Sequence, residues 1–530
     1  SLHPLRRIAS MPRSSLVSGL HRLSVTERRS RLSALGYLSE DTLPETLSET
    51  QADTLVENVI GTFSLPMGVA PNFIVDGNEL VVPMVTEEPS VVAACSLGAK
   101  IARVEGGFRT AAGPTLVTGM VQLVSPPSTP LTPESVSDTL DTSYADMDRV
   151  CRRMHTRLYE RGGGLVRVRG TLLPPDTEWC PEGMEGMEGI DTDAPEDVGG
   201  DTDIDTDATV PESVDVPMYI LVSLDIDVCD AMGANIAAGV AEACAPLLEG
   251  MFSGTQAVAR IVSNLAPPSA AEAGPFTPGI GKGATGNASL VHLAGPRLAV
   301  AECLLTPASL IECKRCSDMP SAIALLDRVE RVYSLGVRHP ARAVTHNKGI
   351  MNGVSAVALA TGQDTRAIEA CNHTLSCKDG QVRPLSWVKR VPMPGQGPDV
   401  YGLRVRCRVA VPIGVVGGLT TRHARAACAL SMLVDGEDGT YFDGASRSSI
   451  LGRVMAAVGL AQNMSAVLAL AGKGISQGHM RLHASRLAAE MGCPDPRLAA
   501  QLSSECVARE GGRISEALVR KMVEGMRKTE

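Results

Sequence analysis

Three short segments of the 530-residue chain carry side chains able to move protons or hold charge. In TEEPS, Glu87 and Glu88 follow an apolar run and precede Pro89, which stiffens the turn. Adjacent carboxylates repel, so partial burial or a nearby cation can raise one pKa and make a proton donor at neutral pH. The same pair can equally be two solvated acids at a helix start. In THNKGIMNG, Lys348 stands in a stretch with little other charge, where a partly buried ammonium can stabilise a developing oxyanion. Asp364 in ATGQD is a candidate partner, either in a catalytic pair or in an ordinary salt bridge. In SQGHMRLH, His479 and His483 have the spacing of one helical face. With no acid between them and no evident third ligand, a single histidine acting as general acid is a better reading than zinc.

Glycine-bearing turns next to apolar strands, DVCDAMGAN and PIGVVGGLTTRH, allow close backbone approach to a ligand. Neither is GxGxxG, so a Rossmann domain is not supported. GIGKGATG lacks the preceding strand and the closing Lys-Ser/Thr pair of a phosphate loop and reads as a linker. CKRC and CNHTLSC have no second pair or regular spacing and read as unligated thiols; DTDIDTD lacks the glycine and distal glutamate of a calcium loop. No metal site is expected.

These residues need elements to position them. NELVVPMV is strand-like and delivers the Glu pair to an Ala-rich helix. LVTGMVQLV, a helical stretch from Ser143 to Arg161, GLVRVRGTLL, PMYILVSLDIDV and an Ala/Gly-rich helix from Gly233 give the order of a small α/β sheet domain. Residues 15–58 form a helical lead-in where Ser39 or Asp41 could cap a helix. Residues 318–470 alternate apolar strands and helices, and 475–530 is helical and charged.

Composition bounds the rest. A chain 44% hydrophobic can bury a large core and reads as two to four domains. The uninterrupted apolar stretches are too short to span a bilayer. Fifteen acids and no Lys or Arg lie between Asp176 and Asp215, so the net charge of -10 belongs to that segment and the rest carries about +5. Such a body suits an anionic small molecule; no nucleic-acid partner is read. The first residues are rich in Arg and Ser, as in a transit peptide, so the expected compartment is cytoplasmic with a mitochondrial or other organellar alternative.

Together, ENVIGTFSLPMGVAPNF, VPMVTEEPSVVAA, DAMGANIA, AVTHNKGIMNG, ALATGQDTRAIEA, VGGLT, GLAQNM and QGHMRLH occur in the order found in hydroxymethylglutaryl-CoA reductases. The chain resembles that family over nearly its whole length, and TEEPS resembles class II, the soluble bacterial type. The resemblance implies an α+β fold. A large mixed helical and α/β domain (15–114 and 263–474, with a loop insertion at 266–289) would be interrupted by a small ferredoxin-like nucleotide domain. That domain would span 115–262, with an acidic insertion at 175–216. A targeting or disordered arm at 1–14 and a mobile flap at 475–530 would complete it.

The resemblance further implies reduction of hydroxymethylglutaryl-CoA by two NAD(P)H to mevalonate and CoA, through mevaldyl-CoA and mevaldehyde, in a homodimer or larger homo-oligomer with an interfacial site. Glu88 would be the catalytic acid and Lys348 the group that polarises the carbonyl. Asp364 would tune both by hydrogen bonds, and His479 would protonate CoA thiolate. Ser90, Arg342, Asn264 and Asn352 match substrate-binding positions, and Asp230, Met232, Gly233 and Asn235 the nucleotide turn. His155 stands where NAD-preferring relatives carry an acid, near Arg152, Arg153 and Arg157, which favours the 2′-phosphate of NADPH. The competing readings are a reductase of another acyl-CoA and a catalytically silent CoA- or nucleotide-binding protein.

Overall fold

The computed structural model describes residues 14–38, 43–44, 46–126, 131–173, 218–267, 284–378, 380–395, 397, 400–435, 442, 445–472, 474, 517, 520 and 521. The expected acidic insertion, the candidate caps Ser39 and Asp41, most of the 266–289 loop, and His479 and His483 lie outside the described residues.

The chain opens with α1 (Val25–Ala34) and α2 (Glu49–Asp53), then β1 (Met67–Val75), β2 (Asn78–Val85), α3 (Val91–Arg103) and β3 (Arg109–Ala112). Next come β4 (Leu116–Ser125), α4 (Pro133–Met154), α5 (Thr156–Glu160), β5 (Gly164–Leu173), β6 (Met218–Asp227), α6 (Ala234–Met251) and β7 (Gln256–Ser263). The return runs through β8 (Thr285–Gly286), β9 (Leu298–Leu305), α7 (Pro307–Glu312), α8 (Met319–Arg338), α9 (Pro340–Ala360) and α10 (Thr365–Ser376). It ends with β10 (Cys377–Lys378), β11 (Gln381–Val382), β12 (Ser386–Pro392), β13 (Tyr401–Ala410), α11 (Gly418–Arg422), α12 (Ala424–Val434) and α13 (Arg447–Ala471).

The segment from β4 to β7 is an antiparallel sheet in the order β5-β6-β4-β7. Numbered within the segment this is 2-3-1-4, the ferredoxin-like arrangement in which both helices cross one face. Alternation decides the face. Val117, Val121, Leu165, Ile220, Val222, Leu224 and Ile226 point inward. They meet Val136, Leu140, Met147 and Cys151 of α4 and Ala237, Val240, Ala241, Cys244 and Leu248 of α6, each set at helical spacing. Thr132 and Ser135 exchange capping-box hydrogen bonds at the start of α4, with Pro133 in its first turn.

A second, larger core belongs to the rest of the chain. Its five-stranded antiparallel sheet, β12-β13-β9-β3-β8, lies against α13. The β1–β2 hairpin turns at Asp76 and Gly77, whose φ of 48° and 82° fit the primed turn that matches strand twist. α13 departs from the sequence expectation. Over 25 residues it is long and apolar enough to cross a membrane, yet 83% of its apolar window is buried inside the protein. A helix apolar all round is a core helix when protein surrounds it. Arg453 breaks its apolar text and is neutralised there: the buried guanidinium donates to Asp76 at 2.6 Å and to Thr110 Oγ1 at 2.9 Å and stacks on Phe442.

Candidate active site

β2 delivers Thr86, Glu87 and Glu88 to a tight turn. Thr86 Oγ1 accepts the Glu88 amide at 3.1 Å, and Ser90, at φ 76°, turns the chain into α3. The second half of the site comes from α9, where Lys348 and Asn352 stand one turn apart and share a face. The Lys348 ammonium donates to Glu88 Oε2 at 2.6 Å, and Asn352 Nδ2 donates to Glu88 Oε1 at 3.3 Å. The Lys348 side chain is 61% exposed and that of Glu88 36%. A pair this open adds little to stability.

Both groups open into a cleft of about 350 Å³, lined also by Glu87, Asn352, Ser355, Glu369 and His373. Ser355 donates to Glu369, closing the far wall between α9 and α10. Sequence reasoning missed Ser355, Glu369 and His373. Once α9 is read as a helix, Ser355 falls two turns from Lys348, and Glu369 and His373 sit one turn apart on α10. Asn347, also missed, points inward: its amide donates to Arg383 O and accepts from Leu385 N, both at 2.9 Å, fixing α9 just before Lys348.

Other expected site residues lie elsewhere in the chain. Asp364 caps α10, accepting from the amides of Arg366 and Ala367 at 3.0 and 3.1 Å. From Lys348 to the end of α9 is about 18 Å of helix, and the hydrogen bonds of Asp364 are to its own helix rather than to Lys348 or Glu88. Arg342 is half-buried at the start of α9, where burial pushes its pKa down. Ser90 lines a separate, largely apolar cavity of about 770 Å³ between α1, β1 and α3. Asn264 is exposed just beyond β7.

The expected nucleotide turn joins β6 to α6. Gly233 caps α6 at φ 88°, and a Cβ there would lie 2.6 Å from Val228 Cγ1 and 2.8 Å from Val117 Cγ2, so only glycine fits. No side chain caps this helix, and Asn235 is exposed in its first turn. Arg297 donates to Met232 O. Asp230 is engaged structurally: its Oδ1 accepts from Ser448 N at 3.0 Å and Ser448 Oγ at 2.7 Å, capping the start of α13. His155 ends α4 and begins α5; its Nε2 is buried without a hydrogen-bond partner, and burial lowers its pKa. Arg153 and Arg157 are exposed nearby, whereas Arg152 pairs with Asp148 at 3.5 Å and stacks on Tyr159.

The family model described as Hydroxymethylglutaryl-coenzyme A reductase matches residues 24–294 and 299–484. The chain belongs to the hydroxymethylglutaryl-CoA reductase family. A relative from Archaeoglobus fulgidus, 3-hydroxy-3-methylglutaryl-coenzyme A reductase, is 32% identical over 90% of this chain and 87% of its own. A probable reductase from Borreliella burgdorferi is 26% identical over 88% and 84%. The Streptococcus pneumoniae reductase superposes with a TM-score of 0.64 at 26% identity, covering 96% of this chain and 99% of that one. A structure of the class II enzyme from that organism, bound to NADPH in open conformations, gives 0.62 at 26% identity, covering 95% and 100%. This chain is accordingly a class II reductase, an oxidoreductase that converts hydroxymethylglutaryl-CoA to mevalonate with NAD(P)H.

Proposed function

We propose that Glu88 and Lys348 are the working pair of this reductase, and the observation that carries the reading is their 2.6 Å ion pair at the cleft mouth, with Asn352 on the other carboxylate oxygen. Bound NADPH would supply the hydrides. The Lys348 ammonium holds the negative charge that forms on the thioester oxygen when its carbon becomes tetrahedral. Collapse of that adduct breaks the C–S bond, and His479 gives the departing CoA thiolate a proton. When the aldehyde carbon is reduced in turn, Glu88 donates the proton that turns the alkoxide into the alcohol of mevalonate. Asn352 keeps the carboxyl aimed while its charge changes.

The nucleotide end fits an anion: the first-turn amides of α6 have no side-chain cap, and a buried imidazole nitrogen of His155 has no partner. Met232, Gly233 and Asn235 would hold the pyrophosphate, while His155, Arg153 and Arg157 would hold the 2′-phosphate, making NADPH the preferred nucleotide. Asp230 supports this turn from behind, through Ser448.

The site needs a second copy of the chain. Residues 54–66 carry Val56, Ile60 and Phe63 at 61%, 104% and 91% exposure, apolar side chains that water does not favour and another subunit can cover. Glu87, Glu88 and Glu369 outnumber Lys348 in the cleft, so the cations that neutralise an anionic substrate come from beyond it. Asp364, which caps α10 within its own chain, would then act across the subunit boundary.

The test follows nucleotide oxidation and free thiol together, using the full chain with hydroxymethylglutaryl-CoA and NADPH or NADH. Two nucleotides oxidised per CoA released is expected, faster with NADPH. One per CoA would mean that the aldehyde is not reduced, and a strong NADH preference would remove the role given to His155. Lys348→Ala is expected to lower kcat by about a hundredfold or more. Near-normal turnover in that variant would overturn the assignment.

A further inference from the structure

On the face of α9 turned away from the cleft lies a buried polar cluster that the reaction does not use. His346 is 1% exposed, Tyr333 2%, Ser386 1% and Asn463 1%. Each comes from a different element, α9, α8, β12 and α13. His346 Nε2 lies 2.6 Å from Ser386 Oγ, Ser386 donates to Asn463 Oδ1 at 2.9 Å, and Tyr333 donates to the same oxygen at 3.0 Å. Asn463 Nδ2 donates to the backbone carbonyl of His346 at 3.3 Å.

Counting hydrogens fixes the protonation pattern. The Asn463 amide must turn its NH₂ toward the His346 carbonyl, which leaves Oδ1 to accept from both hydroxyls. The single Ser386 hydrogen is therefore used, and Ser386 can only accept from the ring. His346 is the Nε2–H tautomer, and its Nδ1 is left as a buried acceptor without a donor. A histidine held at the cost of an orphaned nitrogen calls for an explanation.

The glycine contacts between α9 and α13 are of a different kind. They are close but non-directional: a Cβ on Gly353 would lie 3.0 Å from Val458 O, and one on Gly459 would lie 2.9 Å from Ile350 Cγ2. Apolar packing of this kind brings the helices close and limits their slip, and the hydrogen bonds at His346 add a constraint on direction that packing alone lacks. The directional contacts on this half of α9 fall at His346 and Asn347, immediately before Lys348. Residues two apart on a helix are separated by about 200°, so His346 anchors the face opposite Lys348.

We propose that His346 is a positioning residue for Lys348: its Nε2–H, through Ser386 and Asn463, sets the rotation and register of α9 and so the point at which the ammonium meets the substrate carbonyl. The proposal rests on the reading of Lys348 as the polarising group.

Three variants of the full-length enzyme test it: His346→Gln, which keeps an N–H donor about where Nε2 stands; His346→Asn, whose donor is too short to reach; and Ser386→Ala, which removes the acceptor and leaves the ring. Misplacing a catalytic group by about 1 Å can cost about a hundredfold in rate. His346→Asn and Ser386→Ala are expected to lower kcat by about 10- to 100-fold with KM for both substrates within about twofold, and His346→Gln to recover most of the rate. Melting temperatures recorded alongside separate this from loss of folded protein. Equal kcat in all three, or losses that track melting temperature in Gln and Asn alike, would overturn the proposal. If His346→Asn does not fold, Ser386→Ala decides alone. Lys348→Ala is the control: if it stays active, the reading of Lys348 has failed; if it is inactive while Ser386→Ala is normal, only the positioning role has.

Discussion

At the scale of single residues, the chemistry was legible where a side chain is rare in its surroundings. The Glu87–Glu88 pair and Lys348 stand out by type and neighbourhood, whereas Asn352 came only with the family resemblance; the structure brings Glu88, Lys348 and Asn352 together. The Arg453–Asp76 pair was not legible, because 377 positions separate its members and no local pattern links them. Replacing Arg453 with Met leaves Asp76 without its cation in a mostly buried place, and is expected to cost about 3–5 kcal/mol of stability, read by urea denaturation; a cost below about 1 kcal/mol would show that solvent reaches the pair. His346 adds a pH dependence of known sign. Burial lowers its pKa to about 3 from 6.5, so the unfolded chain takes up a proton that the folded one refuses. Its contribution is complete above pH 6.5 and is lost as pH falls toward 3, at up to about 1.4 kcal/mol per pH unit. His346→Gln is therefore expected to flatten the stability profile between those values; an unchanged acid slope would refute this.

At the scale of elements, strands and amphipathic helices announced themselves and the core helices did not. β2 leading to the Glu pair and α3, and the β4-to-β7 succession, follow from alternation and helical spacing. α13 has buried residues on every side, so it shows no amphipathic stripe and looks like scattered apolar text. The same holds for much of α9, whose inward positions include His346 and Asn347. One close helix crossing is equally invisible in sequence. A Cβ on Gly98 of α3 would fall 2.2 Å from Ala461 O of α13, a backbone atom that cannot step aside. Gly98→Ala is expected to destabilise by about 1–3 kcal/mol or more, although alanine favours a helix, and the measurement is the shift in melting temperature. A stabilised variant would mean that the two helices can separate freely.

At the scale of the whole molecule, charge and connectivity mislead in opposite ways. The net charge of -10 comes from one acidic run, the other residues together carrying about +5, whereas the two cores are joined where sequence gives no hint. Asp230, just beyond the small sheet, accepts the amide of Ser448, the second residue of the helix that fills the large core. That end of the helix is thus capped jointly by the Ser446 hydroxyl of its own segment and by a carboxylate from the other unit. Neither can melt without removing a capping partner, which makes the seam a unit of unfolding cooperativity. Calorimetry should show the two cores melting as one endotherm whose van't Hoff and calorimetric enthalpies agree. Asp230→Ala should lower the midpoint of that endotherm by loosening a seam that Arg297 and Met232 still hold, and an unchanged midpoint would show that the carboxylate couples nothing.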